Sequence, residues 1–537
     1  MNEDEDTISL STQHSAFAVE DRVSGGGYAI MNSAVLLLDN AAKEHGRGVA
    51  LKDEAGEITY ADLRDSSRRV GTALLSRLPN ESYSVSPVLL LMKKSINAVI
   101  AMMGVLYSGN PYVPLDYDIP EGRLRGVIAE IEPRCIIVDE DIKPLLDGWN
   151  PCEIEILIIS DLVKTQPDEA MLHHAVSRVK DSDPVYIMYT SGSTGAPKGV
   201  VIPHRGIIYY AQWAKNTFGF SSDTVIGSQI PFAFDSIAMG IFGAICASAR
   251  LILIPDILFR FPEKLIGYIN ENGVTTLHFV PTIMKMVANS GTLSNENMPN
   301  LKQVLFGGEV MPNKHLNVWR KSLPDVEYIN FYGPTEASVD CTYYIVDRPF
   351  GDSDPLPIGK AKINVGVIIL TEEDETAQNG EVGELCILGS GVGLGYWGNM
   401  EATRKVFVQN PLIKHFEDRM YRTGDLAYMD DEGLIYFAGR KDSQIKLNGY
   451  RIELGEIDTA LSSISGIENS CAMFDPERGE IIAFIQSQSS FTLPRLRKLL
   501  LEKIPRYMLP ARLEVMEALP LTANGKIDRI ALREGLG

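Results

Sequence analysis

The sequence predicts an α/β protein: a large multi-sheet N-terminal domain with layered sheets and helices, and a small C-terminal α+β lid domain. Three observations carry this. The chain has 537 residues, more than one ordinary compact unit holds, and its 45% hydrophobic and 22% charged residues are the balance of a folded globular chain. From Asn32 onward, helical and strand-like patterns alternate. After Gly439-Arg440-Lys441-Asp442 the pattern changes to a shorter mixed unit. These place a loose extension at 1–30, the large domain at 31–440 and the lid domain at 441–537.

The elements follow in order. Ala61, Leu63, Val70, Ala73 and Leu74 recur at helical spacing and predict a helix over Tyr60 to Ser76, before an apolar run from Pro87 to Met92 that reads as a buried strand. Short apolar runs bounded by polar, Gly or Pro residues predict further buried strands. They lie at Cys135 to Val138, Ile154 to Ile159, Tyr186 to Tyr189, Leu251 to Ile254, Thr275 to Val280 and Gln303 to Phe306. In the lid domain the pattern reads as a turn at Asn448-Gly449-Tyr450, a helix from Glu453 to Ser462, a strand from Ile481 to Gln486 and a helix from Leu493 to Lys503. No period of 20 to 50 residues recurs, which excludes solenoids and propellers.

Composition excludes several functions. Fifty Lys and Arg against seventy Asp and Glu give a net charge of −20, which repels phosphate backbones and anionic headgroups, so neither nucleic acid nor a membrane surface is an expected partner. Net charge does not describe a pocket, and a local basic site for a small anion such as ATP stays open. The six cysteines form no CxxC pair, and the acidic start Met1-Asn2-Glu3-Asp4-Glu5-Asp6 is unlike a secretory signal. No apolar segment approaches the ~20 residues of a membrane span. A soluble, cytoplasmic protein is expected.

Three clusters carry candidate chemistry. Tyr189 to Gly199 reads Tyr-Thr-Ser-Gly-Ser-Thr-Gly-Ala-Pro-Lys-Gly: the glycines permit close backbone approach to an anion, the hydroxyls of Thr190, Ser191, Ser193 and Thr194 suit phosphate oxygens, and Lys198 adds a charge. It is not the GxxxxGK[ST] pattern. Asn330 to Glu336 pairs a flat aromatic, Tyr332, with a carboxylate, Glu336, suited to Mg²⁺. Tyr421 to Asp425 offers an Asp that can accept from both ribose hydroxyls, with Arg440 downstream. Taken singly, each is also readable as a loop or turn.

Together and in this order, the clusters resemble the adenylate-forming superfamily, which includes acyl- and aryl-CoA synthetases, luciferases and the adenylation domains of nonribosomal peptide synthetases. The amino-acid-activating branch is the closer match. The resemblance runs from Ile58-Thr59-Tyr60-Ala61-Asp62-Leu63 through Phe234-Asp235, Gly383-Glu384-Leu385, Gly393 to Trp397 and Gly439 to Glu456, to Leu519 to Arg529. It departs at Leu394, where the family often has Arg, and in residues 1–30. It implies two half-reactions on ATP with Mg²⁺: an amino acid is adenylated, and its acyl group passes as a thioester to the phosphopantetheine arm of a separate carrier protein.

The resemblance also implies roles. Lys526, in Asn524-Gly525-Lys526, matches the lysine bridging the substrate carboxylate and the α-phosphate, with Lys198 as a second catalytic cation. Thr190, Ser191, Gly192, Ser193, Thr194, Gly195, Gly308, Asn330, Tyr332, Gly333, Thr335, Asp425, Phe437 and Arg440 match ATP and AMP contacts. Glu336 and Thr190 match the metal position, Asp442 the hinge of a mobile lid, and Gly449 the thioester tunnel. The matching substrate pocket is Asp235, Ser236, Met239, His278, Leu305, Gly307, Phe331, Val339 and Asp340. Asp235 would pair with the substrate ammonium; as plain sequence it also reads as an N-cap of a helix from Ser236 to Ala247. His278 and Asp340 resemble the polar pair of serine-selecting pockets, though both can equally sit on solvated strand faces.

Three alternatives stand beside a serine-activating enzyme. A D-alanyl carrier protein ligase is similar through Leu305 to Asn313 and Gln444 to Arg451, but such ligases commonly have Cys at the position of Gly307. An acyl- or aryl-CoA ligase is disfavoured by Asp235, a carboxylate left unpaired by a neutral substrate. A non-enzymatic scaffold is disfavoured by the joint presence of Lys198, Glu336, Asp425, Arg440 and Lys526. The sequence ends at Gly537 with no Gly-Gly-x-Ser carrier segment, so a separate carrier is expected.

Overall fold

The computed structural model describes residues 31–77, 85–146, 154–192, 197–476, 478–487, 489–520, 527 and 529–534. The chain divides into Met1–Met31 and Asn32–Gly537, and the fold is that of the second unit. The expected extension at 1–30 lies outside the described residues.

Two large sheets have parallel centres. One runs, in spatial order, Lys360–Ala361, Thr342–Ile345, Glu327–Tyr332, Gln303–Gly307, Thr276–Phe279, Val225–Ser228, Arg250–Leu253, Val49–Lys52, Glu57–Thr59, and is parallel from Glu327–Tyr332 to Val49–Lys52. The other carries Pro184–Thr190, Tyr112–Leu115, Val88–Leu91, Cys135–Val138 and Glu155–Ile158 in parallel, with antiparallel Lys198–Pro203 and Gly395–Tyr396 at its edge. Strands buried on both faces must be apolar throughout, and Cys135–Val138 and Val88–Leu91 are buried at every position. An antiparallel sheet of Val365–Leu370, Gly383–Gly389, Arg419–Met429, Phe407–Gln409 and Ile435–Arg440 completes the large part.

The smaller C-terminal part has a core of its own, in which Ile452, Ile457, Leu461, Ile481, Ile485, Leu496 and Met508 pack together. It holds a hairpin, Gln444–Leu447 with Tyr450–Glu453, and a three-stranded sheet of Asn469–Asp475, Glu480–Gln486 and Arg512–Met516. Asn448 and Gly449 take φ of 55° and 83°, the paired positive values of a tight hairpin turn. A Cβ on Gly449 would meet Val280 Cγ1 at 2.9 Å, so only glycine lets this turn sit against the large part.

Three expected helices differ. The segment after Asp235 turns before becoming helical, then forms a π-helix, Met239–Gly243, that runs into Ala244–Ala247. Asp235 therefore caps no helix; its carboxylate accepts from the Thr335 hydroxyl and the Ser236 N–H. The expected helix at Glu453 begins at Leu454, because Glu453 closes a strand, and the helix from Leu493 stops at Leu500, shortly before Pro505. Among the described residues no helix is long and apolar enough to cross a membrane.

Candidate functional site

Parallel sheets place ligand-binding loops at the carboxyl ends of their strands. Thr190, Gly307 and Tyr332 end three such strands, and His278 lies one residue before the end of a fourth. These ends converge on a cavity of about 620 Å³, closed on its far side by the C-terminal hairpin.

On the nucleotide side, Thr190, Ser191, Gly308, Gly333, Thr335, Asp425 and Arg440 line this cavity. The Thr190 hydroxyl is buried without a hydrogen-bond partner among the described residues, a group a ligand can satisfy. Ser191 donates to the Arg451 carbonyl at 2.8 Å. Arg440 bridges two acids, donating from Nη1 to Asp425 and through Nε and Nη2, at 2.7 Å each, to Asp442. Tyr332 stands behind the wall, with its hydroxyl on Asp425. Asn330, also behind it, donates to the Pro357 carbonyl at 2.8 Å. Gly192, Phe437 and Asp442 are likewise off the wall. Ser193, Thr194, Gly195 and Lys526 lie outside the described residues.

On the substrate side, Asp235, Ser236, His278, Gly307, Phe331, Val339 and Asp340 line the cavity, whereas Met239 and Leu305 are buried in the layer behind. His278 and Asp340 do not sit on solvated faces, being 4% and 8% exposed. Burial pulls the His278 imidazole down to about 4, so it is neutral, and its Nδ1 has no hydrogen-bond partner among the described residues. Asp340 Oδ2 accepts from Tyr210 at 2.6 Å. Burial, then the neighbouring Asp340 charge, pushes the Asp235 carboxyl up to about 7.

Glu336 is fully buried, and both its oxygens are engaged: Oε1 accepts from the Tyr396 hydroxyl at 2.8 Å and Oε2 from Arg451 Nη1 at 2.7 Å. Burial alone would raise its pKa, but the guanidinium outweighs that and holds it below the usual carboxylate range. Among the described residues no cluster of three His, Cys, Asp or Glu could hold a metal. With both Glu336 oxygens taken by Tyr396 and Arg451, the Glu336 and Thr190 metal position does not fit a cation in this arrangement. Lys198 Nζ lies 5.3 Å from the centre of the Tyr396 ring, off the wall.

Sequence reasoning missed Lys446 and Arg451, which also line the cavity. They face each other across the hairpin, in register. Two like charges directly opposed are unfavourable unless acids surround them. Here Asp425 and Asp235 act on Lys446, and Glu336 on Arg451. The Asn-Gly turn and the alternation Gln444-Ile445-Lys446-Leu447 hold the signal, since a two-residue turn fixes that register.

Comparison with known proteins agrees with this fold. The family model described as AMP-binding enzyme matches residues 38–397. Zwittermicin A synthase ZmaJ of Bacillus cereus is 33% identical over 487 residues, covering 88% of this chain and 90% of that protein. Delta-poly-L-ornithine synthetase of Acinetobacter baumannii is 33% identical over 83% of this chain but only 32% of that protein. The chain spans about a third or less of the length of several such relatives. Among solved structures, holo-PA1221, a nonribosomal peptide synthetase protein containing adenylation and PCP domains, superposes with a TM-score of 0.79 at 24% identity, over 94% of this chain and 84% of that one. The chain belongs to the AMP-binding enzyme family. Its fold is shared with proteins that contain adenylation domains, holo-PA1221 among them.

Proposed function

We propose that this protein adenylates a small amino acid, serine by preference, and passes the aminoacyl group to the phosphopantetheine thiol of a separate carrier protein in the cytoplasm. The observation that carries the amino-acid reading is Asp235. It presents a carboxylate on the cavity wall whose hydrogen bonds come from the Thr335 hydroxyl and the Ser236 N–H, neither of them cationic, while Lys446 acts on it only through its charge, so an α-ammonium can pair with it directly.

In the first step a carboxylate oxygen of the amino acid attacks the α-phosphorus of ATP. The bond from α-phosphorus to the bridging oxygen breaks, and pyrophosphate leaves with that electron pair. Lys526 bridges the reacting carboxylate and α-phosphate, Lys198 adds positive charge, and the Thr190 and Ser191 hydroxyls hold phosphate oxygens. Asp425 accepts from the ribose hydroxyls. In the second step the thiolate sulfur attacks the acyl carbonyl carbon and AMP leaves, the thiol proton having passed to solvent.

We read residues 441–537 as a lid that turns about Asp442 between the steps, with Gly449 beside the thioester tunnel. Mg²⁺ at Glu336 and Thr190 belongs to an arrangement from which Arg451 has withdrawn. The serine preference rests on His278 Nδ1, without a hydrogen-bond partner among the described residues, and on the Asp340 carboxylate, which accepts from Tyr210 at Oδ2: a hydroxyl bonds to both, and alanine leaves them desolvated. Incubation with ATP, serine and a phosphopantetheinylated carrier protein should add a seryl mass to the carrier. A panel in which alanine, proline or an aryl acid is loaded faster would overturn the serine reading.

A further inference from the structure

Lys362 is a buried lysine, 6% exposed, on the segment following the strand Lys360–Ala361. It does not line the cavity. Its ammonium lies 4.5 Å from the centre of the Tyr210 ring and 5.5 Å from that of Trp213, and donates to the Ser338 carbonyl at 3.4 Å. Both aromatics stand on the helix His204–Phe218, directly behind the pocket, where Trp213 packs edge-on against Phe331 of the wall. The Tyr210 hydroxyl reaches forward to Asp340. A cation over a ring face makes the phenol a stronger donor. One continuous chain therefore links the hidden ammonium to the carboxylate on the wall.

Burying an ammonium is costly unless an anion answers it. Burial pulls Lys362 down to about 8 and Asp340 holds it up, so it stays charged at neutral pH. Two cations stabilise the Asp340 carboxylate, Lys362 and Lys446. Lys446 belongs to the C-terminal hairpin. Lys362 adjoins a strand paired with Thr342–Ile345, two residues beyond Asp340, and so accompanies Asp340 in any position of the hairpin.

We infer that Lys362 is a specificity-determining residue acting from behind the wall: its charge offsets Asp340, so the pocket takes an uncharged side-chain donor and rejects a second ammonium. Without Lys362 the charge of Asp340 on the deep wall is answered only by Lys446 of the hairpin, and the pocket selects a diamino acid. The inference rests on the pocket reading above.

The test is the ratio of kcat/KM for the best aminated side chain to that for the best neutral one. It is read by pyrophosphate–ATP exchange over a panel that includes 2,3-diaminopropionate, ornithine, serine and alanine. Lys362→Met should raise the ratio at least about tenfold, and Asp340→Asn, leaving Lys362 unanswered, should lower it as much. The double variant should return to within about threefold of wild type, and Lys362→Arg should stay near it, because the charges again balance. Should Lys362→Met fold poorly, the rise from Asp340→Asn to the double variant carries the same test. A ratio unmoved by Lys362→Met, or by adding it to Asp340→Asn, while Asp340→Asn alone moves it, overturns the role of Lys362. A ratio that Asp340→Asn does not move overturns the pocket reading, and this inference with it.

Discussion

Arg451, on the C-terminal hairpin, donates to Glu336 of the large part at 2.7 Å, with the carboxylate fully buried. The contact ties the hairpin to the cavity. Removing one partner of such a pair leaves a desolvated charge and costs about 3–5 kcal/mol.

Arg451→Ala should therefore destabilise the arrangement with Gly449 at the cavity and spare the one that supports adenylation. Amino-acid-dependent exchange should stay within a few-fold of wild type while carrier loading falls by about a hundredfold, the lower end of that cost. Parallel loss of both rates would contradict this.

Asp442→Pro bears on the same motion. Proline fixes φ near −65° and removes the carboxylate that accepts two bonds from Arg440. Exchange should largely persist and thioester transfer should stop, measured on one preparation by the two assays. Equal loss of both would place the hinge elsewhere.

Much of this architecture was legible in the sequence, for reasons that individual residues show. Cys135 to Val138 was readable to its ends because a strand buried on both faces must be an unbroken apolar run. The segment after Asp235 was not, since an apolar stretch does not distinguish an α-helix from the π-turn at Met239–Gly243, a geometry common beside functional sites. Thr190 and Asp235 were named from motifs, whereas Lys362 was not. Its meaning lies in a Tyr210 ring some 150 residues earlier in the chain, and no local pattern records that contact. The burial of His278 and Asp340 has the same origin: strand alternation left the face of His278 undecided, Asp340 lies in the loop before Thr342–Ile345, and only the tertiary packing buries them.

Asp235 gives a pH prediction. Its carboxyl titrates near 7 in the folded protein against 3.8 ordinarily, and only the ionised form pairs with an ammonium. The kcat/KM for the amino acid should rise with pH through about 7, and Asp235→Asn should flatten that rise while lowering activity. A raised carboxyl pKa contributes stability below about 3.8 that is lost as pH climbs to about 7. Asp235→Asn should therefore melt higher than wild type at pH 8, with the gap shrinking at pH 5. Equal melting temperatures at pH 8 would contradict the raised pKa.

Lys526→Ala should abolish adenylate formation and leave the melting temperature within a degree or so, because removing one side-chain charge costs little stability and much of the stabilisation of a charged transition state. Exchange at the wild-type rate in this variant would remove Lys526 from the reaction.

The central claim is that the cavity activates an amino acid with ATP. Its most direct measurement is pyrophosphate–ATP exchange on the wild-type protein, with each amino acid and, separately, with fatty and aryl acids. Exchange that depends on an amino acid, with serine giving the highest kcat/KM, and that falls by about 2–5 kcal/mol in transition-state terms in Asp235→Ala, is the predicted result. Exchange supported only by acids lacking an α-ammonium, or by no acid at all, would contradict it.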